Sequence, residues 1–490
     1  MTKKANKLRL ARIIVAAVFF VGALLLLLDI SGALHKWLGW IAKVQFIPAL
    51  IALNLIPFGI IAILTLIFGR FYCSTICPLG IYQDIISHAG GKKKNFSKAK
   101  TVLRWIFVAI AVAAFFLFMP LLGLLDPYSI FGKAVTNILQ PIYILGNNLL
   151  ALISEHIDSY AFYSKDVWLK SLPTLIISVA LIAAISIMAY KNGRTWCNTV
   201  CPVGTILGAI SRFSFFKVRI DEDKCISCGL CEKKCKASCI DAKNHEIDYS
   251  RCVGCMDCID NCSKGAISYK SAKKSSENKP DNSRRAVLTG VVLLAGSALT
   301  DAVAQEVNDG GLAEITKKKA PKRETPLKPA GSKSLKNFSD KCTACQLCVS
   351  KCPNDVLRPS KALGTFMQPE MSFEKGYCRP ECTVCSEVCP TGAISLIEPE
   401  DKTHIQTGHA VWIRENCVVI TDDVNCGNCA RHCPSGAISM VHIDPSDTKS
   451  RKVPAVNEER CIGCGACENL CPARPLSAIY VEGHLTHKDI

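Results

Sequence analysis

The sequence contains no CxxCH motif, so covalent attachment of a c-type haem is not expected. It also lacks a glycine-rich phosphate-binding loop, a flavin-binding fingerprint and a Ser-His-Asp set, so no site for chemistry on a bound substrate is evident. Acidic residues are few, with 41 Asp and Glu against 58 Lys and Arg. The excess basic residues cluster beside apolar segments, which indicates a role in membrane topology rather than binding to nucleic acid.

Apolar residues make up 49% of the 490 residues, which is high for a soluble protein. Four apolar stretches are predicted to span a membrane, at residues 13–28, 48–68, 102–122 and 172–190. Basic residues precede the first stretch, separate the second from the third, and follow the fourth at Lys191 and Arg194. By the positive-inside rule, both ends of this four-span bundle are expected in the cytoplasm.

Residues 283–304 have the layout of an export signal, although they lie in the interior of the chain. Arg284 and Arg285 precede an apolar run at residues 286–299, and small residues follow at 302–304. This order is typical of a twin-arginine signal. Because the run is shorter than the ~20 residues that span a bilayer comfortably, a tilted fifth span is an alternative, as is a buried helix in a cytosolic linker.

The pattern GRxxCxxxCPxG occurs twice, at residues 69–80 and 193–204, at the ends of the second and fourth apolar stretches. Two thiols spaced i and i+4 lie on one face of a helix. A helix bundle that joins both pairs would supply four thiolates for one 4Fe-4S cluster. The alternatives are two dithiol or disulfide pairs, or thiols without a ligand. The cysteines concerned are Cys73, Cys77, Cys197 and Cys201.

Two CxxCxxCxxxC runs follow the bundle, and they comprise Cys225, Cys228, Cys231, Cys235, Cys252, Cys255, Cys258 and Cys262. The spacing is typical of bacterial two-cluster ferredoxins, in which three close thiolates hold one cluster and the fourth cysteine binds the other. Cys262 is therefore expected to complete the first trio and Cys235 the second. Zinc is disfavoured because it prefers two separated CxxC pairs. The usual proline after the fourth cysteine is absent, and Cys239 has no place in the pattern.

The last third of the chain carries four more runs, each of four cysteines and each ending in Cys-Pro. They are Cys342, Cys345, Cys348, Cys352; Cys378, Cys382, Cys385, Cys389; Cys417, Cys426, Cys429, Cys433; and Cys461, Cys464, Cys467, Cys471. Structural disulfides are the alternative for an exported domain, but four such runs favour iron-sulfur clusters. Together with the repeat and the two earlier runs, these four runs account for all 29 cysteines except Cys239.

The expected fold is an α-helical membrane bundle of four spans, with a fifth if residues 283–304 also cross, joined to α+β ferredoxin domains of the bacterial 4Fe-4S type. Residues 1–215 would form the bundle and residues 216–270 a cytoplasmic two-cluster ferredoxin. Residues 271–340 would form a linker with the signal-like stretch, and residues 341–490 a four-cluster polyferredoxin in the periplasm.

With these motifs, residues 1 to about 270 resemble the membrane ferredoxin NapH and its relative MauN. Residues from 283 onward resemble the periplasmic ferredoxin NapG and its relative MauM. The resemblance implies a fusion of both, located in the bacterial inner membrane, with six 4Fe-4S clusters and a seventh if the repeat holds one. It also implies electron transfer from the membrane quinone pool to a periplasmic reductase, such as a nitrate reductase, or to a multihaem cytochrome. Export would use the twin-arginine machinery.

Two other functions are consistent with the same motifs. The clusters would serve in redox sensing or in maturation of another metalloenzyme, or the chain would be a cytosolic polyferredoxin tethered to the membrane. In the predicted topology, the clusters lie on opposite sides of a hydrocarbon core about 30 Å thick, with no haem between them. Electron transfer across this distance would need either the quinone as a shuttle or a cluster near the repeat that shortens the gap. Asp126 and His156, polar residues expected near the outer face, are candidates for proton release from a quinol, and an ordinary surface role is the favoured alternative for each.

Overall fold

The computed structural model describes residues 7–29, 32–90, 95–158, 162–271, 308–309, 313–314 and 316–490. The signal-like stretch at residues 283–304, with Arg284 and Arg285, lies outside the described residues. Helices dominate the chain up to residue 211, and small antiparallel sheets with short helices follow from residue 216 onward.

Fourteen α-helices make up the described part of the first 211 residues. They are α1 (Lys7–Leu28), α2 (His35–Leu38), α3 (Trp40–Lys43), α4 (Phe46–Ile51), α5 (Leu55–Phe68), α6 (Phe71–Thr75), α7 (Pro78–Ala89), α8 (Thr101–Leu117), α9 (Met119–Leu125), α10 (Pro127–Ala134), α11 (Gln140–Glu155), α12 (Leu172–Asn192), α13 (Thr195–Thr199) and α14 (Pro202–Ser211). A π-helical turn, Val135–Leu139, joins α10 to α11. Helix α12 packs against α7 and α10, and α1 packs against α6.

Within the described residues, two helices are long and apolar enough to cross a membrane, α1 with 22 residues and α12 with 21. The other two predicted spans are shorter, since α5 has 14 residues and α8 has 17. The second stretch is broken between α4 and α5, where Leu53 has a positive φ of 53°. The third ends early because Phe118 is extended, directly before the Met119-Pro120 start of α9. Length and composition therefore support two of the four predicted spans.

Residues 216–271 form a small α+β unit, the first ferredoxin unit. Its strands are β1 (Phe216–Ile220), β2 (Ile240–Asp241), β3 (Glu246–Ile247) and β4 (Ile267–Ser271), and its helices are α15 (Leu230–Lys233) and α16 (Asp257–Asn261). The antiparallel pairs are β1 with β4 and β2 with β3. Val218, Ile240 and Ile267 pack with buried cysteines in a core of their own. This small core positions both cysteine runs.

The second ferredoxin unit contains the four remaining cysteine runs. Its helices are α17 (Leu335–Lys341), α18 (Leu347–Lys351), α19 (Val384–Val388), α20 (Pro399–Lys402), α21 (Val418–Thr421), α22 (Asn428–Arg431) and α23 (Ala466–Leu470). The strands from residue 308 onward are β5 (Asn308–Asp309), β6 (Ala313–Glu314), β7 (Leu357–Pro359), β8 (Pro369–Met371), β9 (Ile405–Trp412), β10 (Ile438–His442), β11 (Lys452–Val456) and β12 (Ile479–Asp489). The antiparallel pairs are β5 with β6, β7 with β8, β9 with β12 and β10 with β11.

Residues 316–340, expected as part of a linker, pack into this second unit. Leu327 and Phe338 are almost completely buried. Arg323 forms an ion pair with the buried Glu468 of α23, with Nη2 2.6 Å from Oε1. The difference from the expectation has a simple cause, because Leu327, Ala330 and Phe338 of this Lys- and Pro-rich stretch fill core positions. The unit thus begins well before residue 341.

The two ferredoxin units contact opposite ends of α1. In its first turn, Arg9 Nε lies 2.8 Å from Asp257 Oδ1 of the first unit. Just after its last residue, Asp29 Oδ2 lies 2.6 Å from Lys351 Nζ of the second unit. Because an α-helix rises 1.5 Å per residue, the 22 residues of α1 separate these contacts by about 33 Å.

Helix α12 shows the same arrangement in the reverse direction. Lys170, just before its start, donates a hydrogen bond of 3.2 Å to the carbonyl of Val349 in the second unit. Beyond its end, the backbone N–H of Arg194 donates to the carbonyl of Lys236 in the first unit at 2.9 Å. Both long helices therefore run from one ferredoxin unit to the other.

Candidate iron-sulfur centres

The first unit groups its eight cysteines as the spacing predicts. One cavity is lined by Cys225, Cys228, Cys231 and Cys262, which we call group 1. A second cavity is lined by Cys252, Cys255, Cys258 and Cys235, which we call group 2. Each group thus takes three cysteines from one run and the fourth from the other. This exchange is the arrangement of a two-cluster ferredoxin.

The first two runs of the second unit exchange their fourth cysteines in the same way. Group 3 consists of Cys342, Cys345, Cys348 and Cys389, whose charges act on one another. Group 4 consists of Cys378, Cys382, Cys385 and Cys352, which likewise lie within electrostatic range of one another. Cys385 also lies within electrostatic range of Cys348. Groups 3 and 4 are therefore neighbours.

The last two runs form a second interlocked pair. Group 5 consists of Cys461, Cys464, Cys467 and Cys433. Group 6 consists of Cys417, Cys426, Cys429 and Cys471. The loop between Cys417 and Cys426 contains α21 and still returns both thiols to one group. The pairing in the second unit could not be deduced from the spacing alone, and the fold supplies it.

Contacts between groups place them in the order 3, 4, 5, 6. The N–H of Cys378 in group 4 donates a hydrogen bond of 2.9 Å to the carbonyl of Cys464 in group 5. Cys467 of group 5 lies within electrostatic range of Cys429 in group 6. The four groups therefore form one continuous series, although group 5 comes last in the sequence.

The fourth cysteine of most runs accepts a hydrogen bond from a backbone N–H a few residues further along the chain. The donors and acceptors are Ala266 to Cys262 at 3.2 Å, Val356 to Cys352 at 3.3 Å, Ile394 to Cys389 at 3.4 Å, Ala437 to Cys433 at 3.2 Å and Ala478 to Cys471 at 3.3 Å. Such N–H donors stabilise negative charge on the sulfur and tune the potential of an attached cluster. Their recurrence indicates sulfurs that carry charge.

The leftover cysteine, Cys239, lies beside group 2. Its Sγ is 3.5 Å from Cys235 Sγ, and only 1% of the residue is exposed. The hydrogen bond from Cys239 lowers the pKa of the Cys235 thiol. Cys239 also hydrogen-bonds to Cys252. No sequence signal indicates this role, because the residue lies outside the CxxCxxCxxxC spacing.

The helix bundle brings both copies of the repeat together. Cys73, Cys77, Cys197 and Cys201 are all buried, and the charge of Cys201 interacts with those of the other three. Gln83 donates a hydrogen bond of 3.2 Å to Cys197 Sγ, and the N–H of Gly204 donates one of 3.4 Å to Cys201 Sγ. The four thiols therefore form one group, as the shared-cluster prediction requires.

The arginines of the two copies are exchanged. Arg70 of the first copy donates to the carbonyl of Cys197 in the second at 3.2 Å, and Arg194 of the second donates to the carbonyl of Cys73 in the first. A Cβ on Gly80 would collide with the Cys73 carbonyl oxygen, and one on Gly204 would collide with the Cys197 carbonyl oxygen. The glycines of the motif are thus required by this close backbone approach at each cysteine pair.

Charge balance at the repeat favours a cluster over disulfides. Arg70 and Arg194 are both completely buried. Arg194 pairs with Asp84 at 2.7 Å, whereas the described side-chain hydrogen bonds of Arg70 go to Asn198, to backbone carbonyls and to the Cys73 sulfur. A buried guanidinium needs an anionic partner. Four thiolates on a 4Fe-4S cluster would supply net negative charge there, and a disulfide would not.

The thiols of the second unit also fit bound iron. Burial raises the pKa of Cys342 and of Cys464 to about 12. A bare thiol at either position is neutral near pH 7, and iron has to displace its proton on binding. All 29 cysteines lie in the described ranges and none forms a disulfide.

Comparisons with known families identify the cofactor. A family described as "4Fe-4S binding domain" matches residues 50–97 and 172–221, which include both copies of the repeat. A second family with the same description matches residues 218–241 and 338–358. A "4Fe-4S dicluster domain" matches residues 424–474. Iron-sulfur binding is thus confirmed.

The named relatives are one putative electron transport protein and two ferredoxin-type proteins. The "Putative electron transport protein YccM" of Escherichia coli is 24% identical over 35% of this chain and 43% of its own length. The "Methylamine utilization ferredoxin-type protein MauN" of Paracoccus denitrificans is 26% identical over 35% of this chain and 49% of its own length. MauM of Methylobacillus flagellatus is 29% identical over 28% of this chain and 61% of its own length. The matches span between 43% and 61% of these relatives.

The resemblance predicted from the cysteine motifs is therefore confirmed. The chain is similar both to MauN and to MauM, and it carries several 4Fe-4S regions, as a fusion of a NapH-like and a NapG-like ferredoxin would. Its general role is iron-sulfur electron transfer.

Proposed function

We propose that this iron-sulfur protein carries electrons from a quinol in the bacterial cytoplasmic membrane to a reductase or a multihaem cytochrome in the periplasm. The observation that carries this proposal is the continuous series of groups 3, 4, 5 and 6. When bound, each 4Fe-4S cluster accepts and donates one electron at a time. The chain would be the electron-transfer subunit of a quinol dehydrogenase.

The series begins at the helix bundle. A Cβ on Gly132 of α10 would collide with the carbonyl oxygen of Cys345, so α10 and group 3 are in backbone contact. Ser129, also on α10, donates a hydrogen bond of 3.0 Å to Thr343 between the first two cysteines of the run. Group 6 is the last of the series, and Cys426 and Cys429 there are only partly buried. We propose group 6 as the exit toward the periplasmic partner.

A membrane location is supported by α1, α12 and the apolar surface of the bundle. Leu55 and Ile56 at the start of α5 are 72% and 73% exposed, and Phe116 and Leu117 at the end of α8 are 76% and 85% exposed. A contiguous apolar surface on a soluble monomer is unusual and marks a surface covered by lipid or by a partner. Helices α5 and α8 are too short to cross a membrane by themselves, and lipid would also cover the apolar residues that flank them.

The proposed sides follow from the charges. The basic residues flanking α1 and α12 favour the cytoplasm for the first ferredoxin unit. The second unit contacts the opposite ends of both helices and follows the twin-arginine-like stretch in the sequence, which supports a periplasmic location. The repeat and group 2 then lie at the cytoplasmic end, where Arg70 donates a hydrogen bond of 3.1 Å to Ser250, two residues before Cys252.

Quinol-driven reduction tests this function. The full-length protein, purified anaerobically with its clusters, is placed in liposomes and mixed with menaquinol or ubiquinol in a stopped-flow spectrometer. Bleaching of the iron-sulfur absorbance within seconds is the expected result. Clusters that dithionite reduces but neither quinol reduces would contradict the proposal and favour a sensing or maturation role. Iron and sulfide analysis gives the cluster number, with about 24 of each expected for six clusters and about 28 for seven.

A further inference from the structure

A cleft lies where three parts of the chain meet, between the helix bundle and the second ferredoxin unit. One wall is the π-helical turn and the start of α11, and another is the segment 165–170 that precedes α12. The third wall is the run from Ser350 to Asp355, which includes Cys352 of group 4. A molecule in this cleft would be in contact with the cysteine run that supplies both groups 3 and 4.

Two residues that line the cleft each carry a buried polar atom with no hydrogen-bond partner in the described part of the chain. These atoms are Thr136 Oγ1 and Trp168 Nε1. Thr136 is only 2% exposed. Burying a polar group without a partner is costly, and on the wall of a cleft a bound ligand can supply the missing hydrogen bonds. The indole N–H can only donate, and the threonine hydroxyl can also accept. The ligand should therefore carry one oxygen that accepts from Trp168 and a second oxygen that either accepts from the Thr136 hydroxyl or donates an O–H to it.

The backbone at Thr136 is itself unusual. Residues Val135–Leu139 form a π-helical turn between two α-helices. Such turns are rare and are often found at functional sites, where they reorient side chains that a regular helix would direct elsewhere. Here the turn places Thr136 and Asn137 in the wall of the cleft.

An apolar surface leads from the cleft along α11. Ile144 lines the cleft, and Ile142, Leu145 and Leu149 on this helix are about 60% exposed. Val167 and Leu169 on the opposite wall are 41% and 55% exposed. If the bundle lies in a membrane, these side chains face lipid. A ligand with a polar ring and a long apolar chain fits a polar pocket that opens onto such a surface.

From this geometry we propose that the cleft is the site at which a lipid-soluble quinol binds and is oxidised, an inference that rests on the proposed function. The Trp168 N–H donates to one oxygen of the ring, and Thr136 accepts from the hydroxyl of the other. Oxidation breaks both O–H bonds of the quinol. Its two electrons would leave one at a time to the 4Fe-4S clusters that groups 3 and 4 would hold, and its two protons would leave to water at the rim beside Asp166.

Asp126 and His156 are not part of this site. Asp126 is 1% exposed and caps α10 by accepting a hydrogen bond of 3.0 Å from the N–H of Ser129. His156 follows the end of α11 at the surface. Neither residue lines the cleft. In this proposal the quinol therefore loses its protons near Thr136 and Trp168, and Asp126 and His156 take no part.

Photo-crosslinking gives a readout that does not depend on activity. The full-length protein in liposomes is illuminated with an azido-quinone, and the labelled peptides are identified by mass spectrometry. We expect the label on residues 136–144 or 165–170, and we expect excess unlabelled quinone to suppress it. Trp168→Phe should raise the quinol concentration that gives half-maximal cluster reduction by about fivefold to tenfold, because it removes one hydrogen bond. Thr136→Val should have a similar effect.

Trp412→Phe is the matched control. Its indole N–H is also buried without a partner in the described residues, but it lies in β9, outside the cleft. This variant should bind and oxidise quinol as the wild type does, and all variants should show unchanged dithionite-reduced spectra. If the label appears on other segments while quinol still reduces the clusters, the assignment of the quinol site to this cleft is wrong and the proposed function stands. Failure of every quinol to reduce the wild type would overturn both.

Discussion

The carboxylate of Asp29 lies 2.6 Å from the ammonium of Lys351, and the exposed fractions of the two side chains are 3% and 1%. Asp29 follows the last residue of α1, and Lys351 lies between Cys348 of group 3 and Cys352 of group 4. One buried ion pair therefore joins the end of the longest helix of the bundle to the cysteine run nearest to it.

Lys351→Met should loosen this junction. Removal of the Lys351 ammonium leaves the buried carboxylate of Asp29 with hydrogen bonds from the backbone N–H groups of Gly32 and Leu34 but without this ion pair, and breaking a buried ion pair typically costs about 3–5 kcal/mol. Faster amide exchange in the last turn of α1 and in α18 should report the loss. Lys375→Met is the control, because its ion pair with Asp166 is exposed and such pairs contribute about 1 kcal/mol or less. Equal effects of the two lysine variants would show that the buried pair does not hold the junction.

Cys73→Ser and Cys197→Ser should each remove the same cluster signal in electron paramagnetic resonance, and the double variant should add little. The reason is that both thiols belong to the one group at the repeat, and residues acting on one centre are not additive. Iron content should fall by about four atoms per chain in each variant. Additive losses of activity with unchanged iron would instead indicate two separate dithiols.

Cys239→Ala should lower the reduction potential of the cluster held by group 2. The variant removes a thiol donor to Cys235 and Cys252, and the extra negative charge of the reduced cluster then loses about 1 kcal/mol of stabilisation. Cys239→Ser keeps a hydroxyl donor at the same position and should retain most of the wild-type potential. Loss of iron in both variants would mean that Cys239 is itself a ligand.

Reporter fusions test the proposed sides of the membrane. A fusion after residue 275 should report the cytoplasm, and a fusion after residue 335 should report the periplasm. Arg284→Lys together with Arg285→Lys should retain the second reporter in the cytoplasm, because the paired arginines are the feature that a twin-arginine receptor reads. Two cytoplasmic reports from the unmodified chain would rule out export.

The cysteine groups of the first unit could be predicted from spacing, because the coordination of a cubane restricts which thiols can reach one cluster. The grouping of the repeat was also predictable, since its two copies end two apolar stretches of one bundle. The pairing of the cysteine runs in the second unit and the order of its groups could not be predicted, because β9 and β12 bring together runs that are distant in the sequence. Cys239 and the exchanged Arg70 and Arg194 also depend on tertiary contacts that no local pattern encodes.

The number and length of the helices were predicted less well. Hydropathy identified the apolar stretches correctly but not the backbone breaks within them, at Leu53 and at Phe118. A window of apolar residues does not distinguish a continuous helix from two short ones. Asp126 illustrates the same limit, because an acidic residue near the end of a predicted span fits either a functional site or a helix cap, and here it is a cap.

The most direct test of the central claim is whether electrons pass along the series of groups. Cys464→Ala removes a ligand from group 5, between groups 4 and 6. In liposomes mixed with quinol and frozen rapidly, the clusters of groups 3 and 4 should become reduced as in the wild type, while that of group 6 stays oxidised. Dithionite should still reduce group 6 in this variant, which shows that its cluster is intact. Reduction of group 6 by quinol at the wild-type rate would contradict the account.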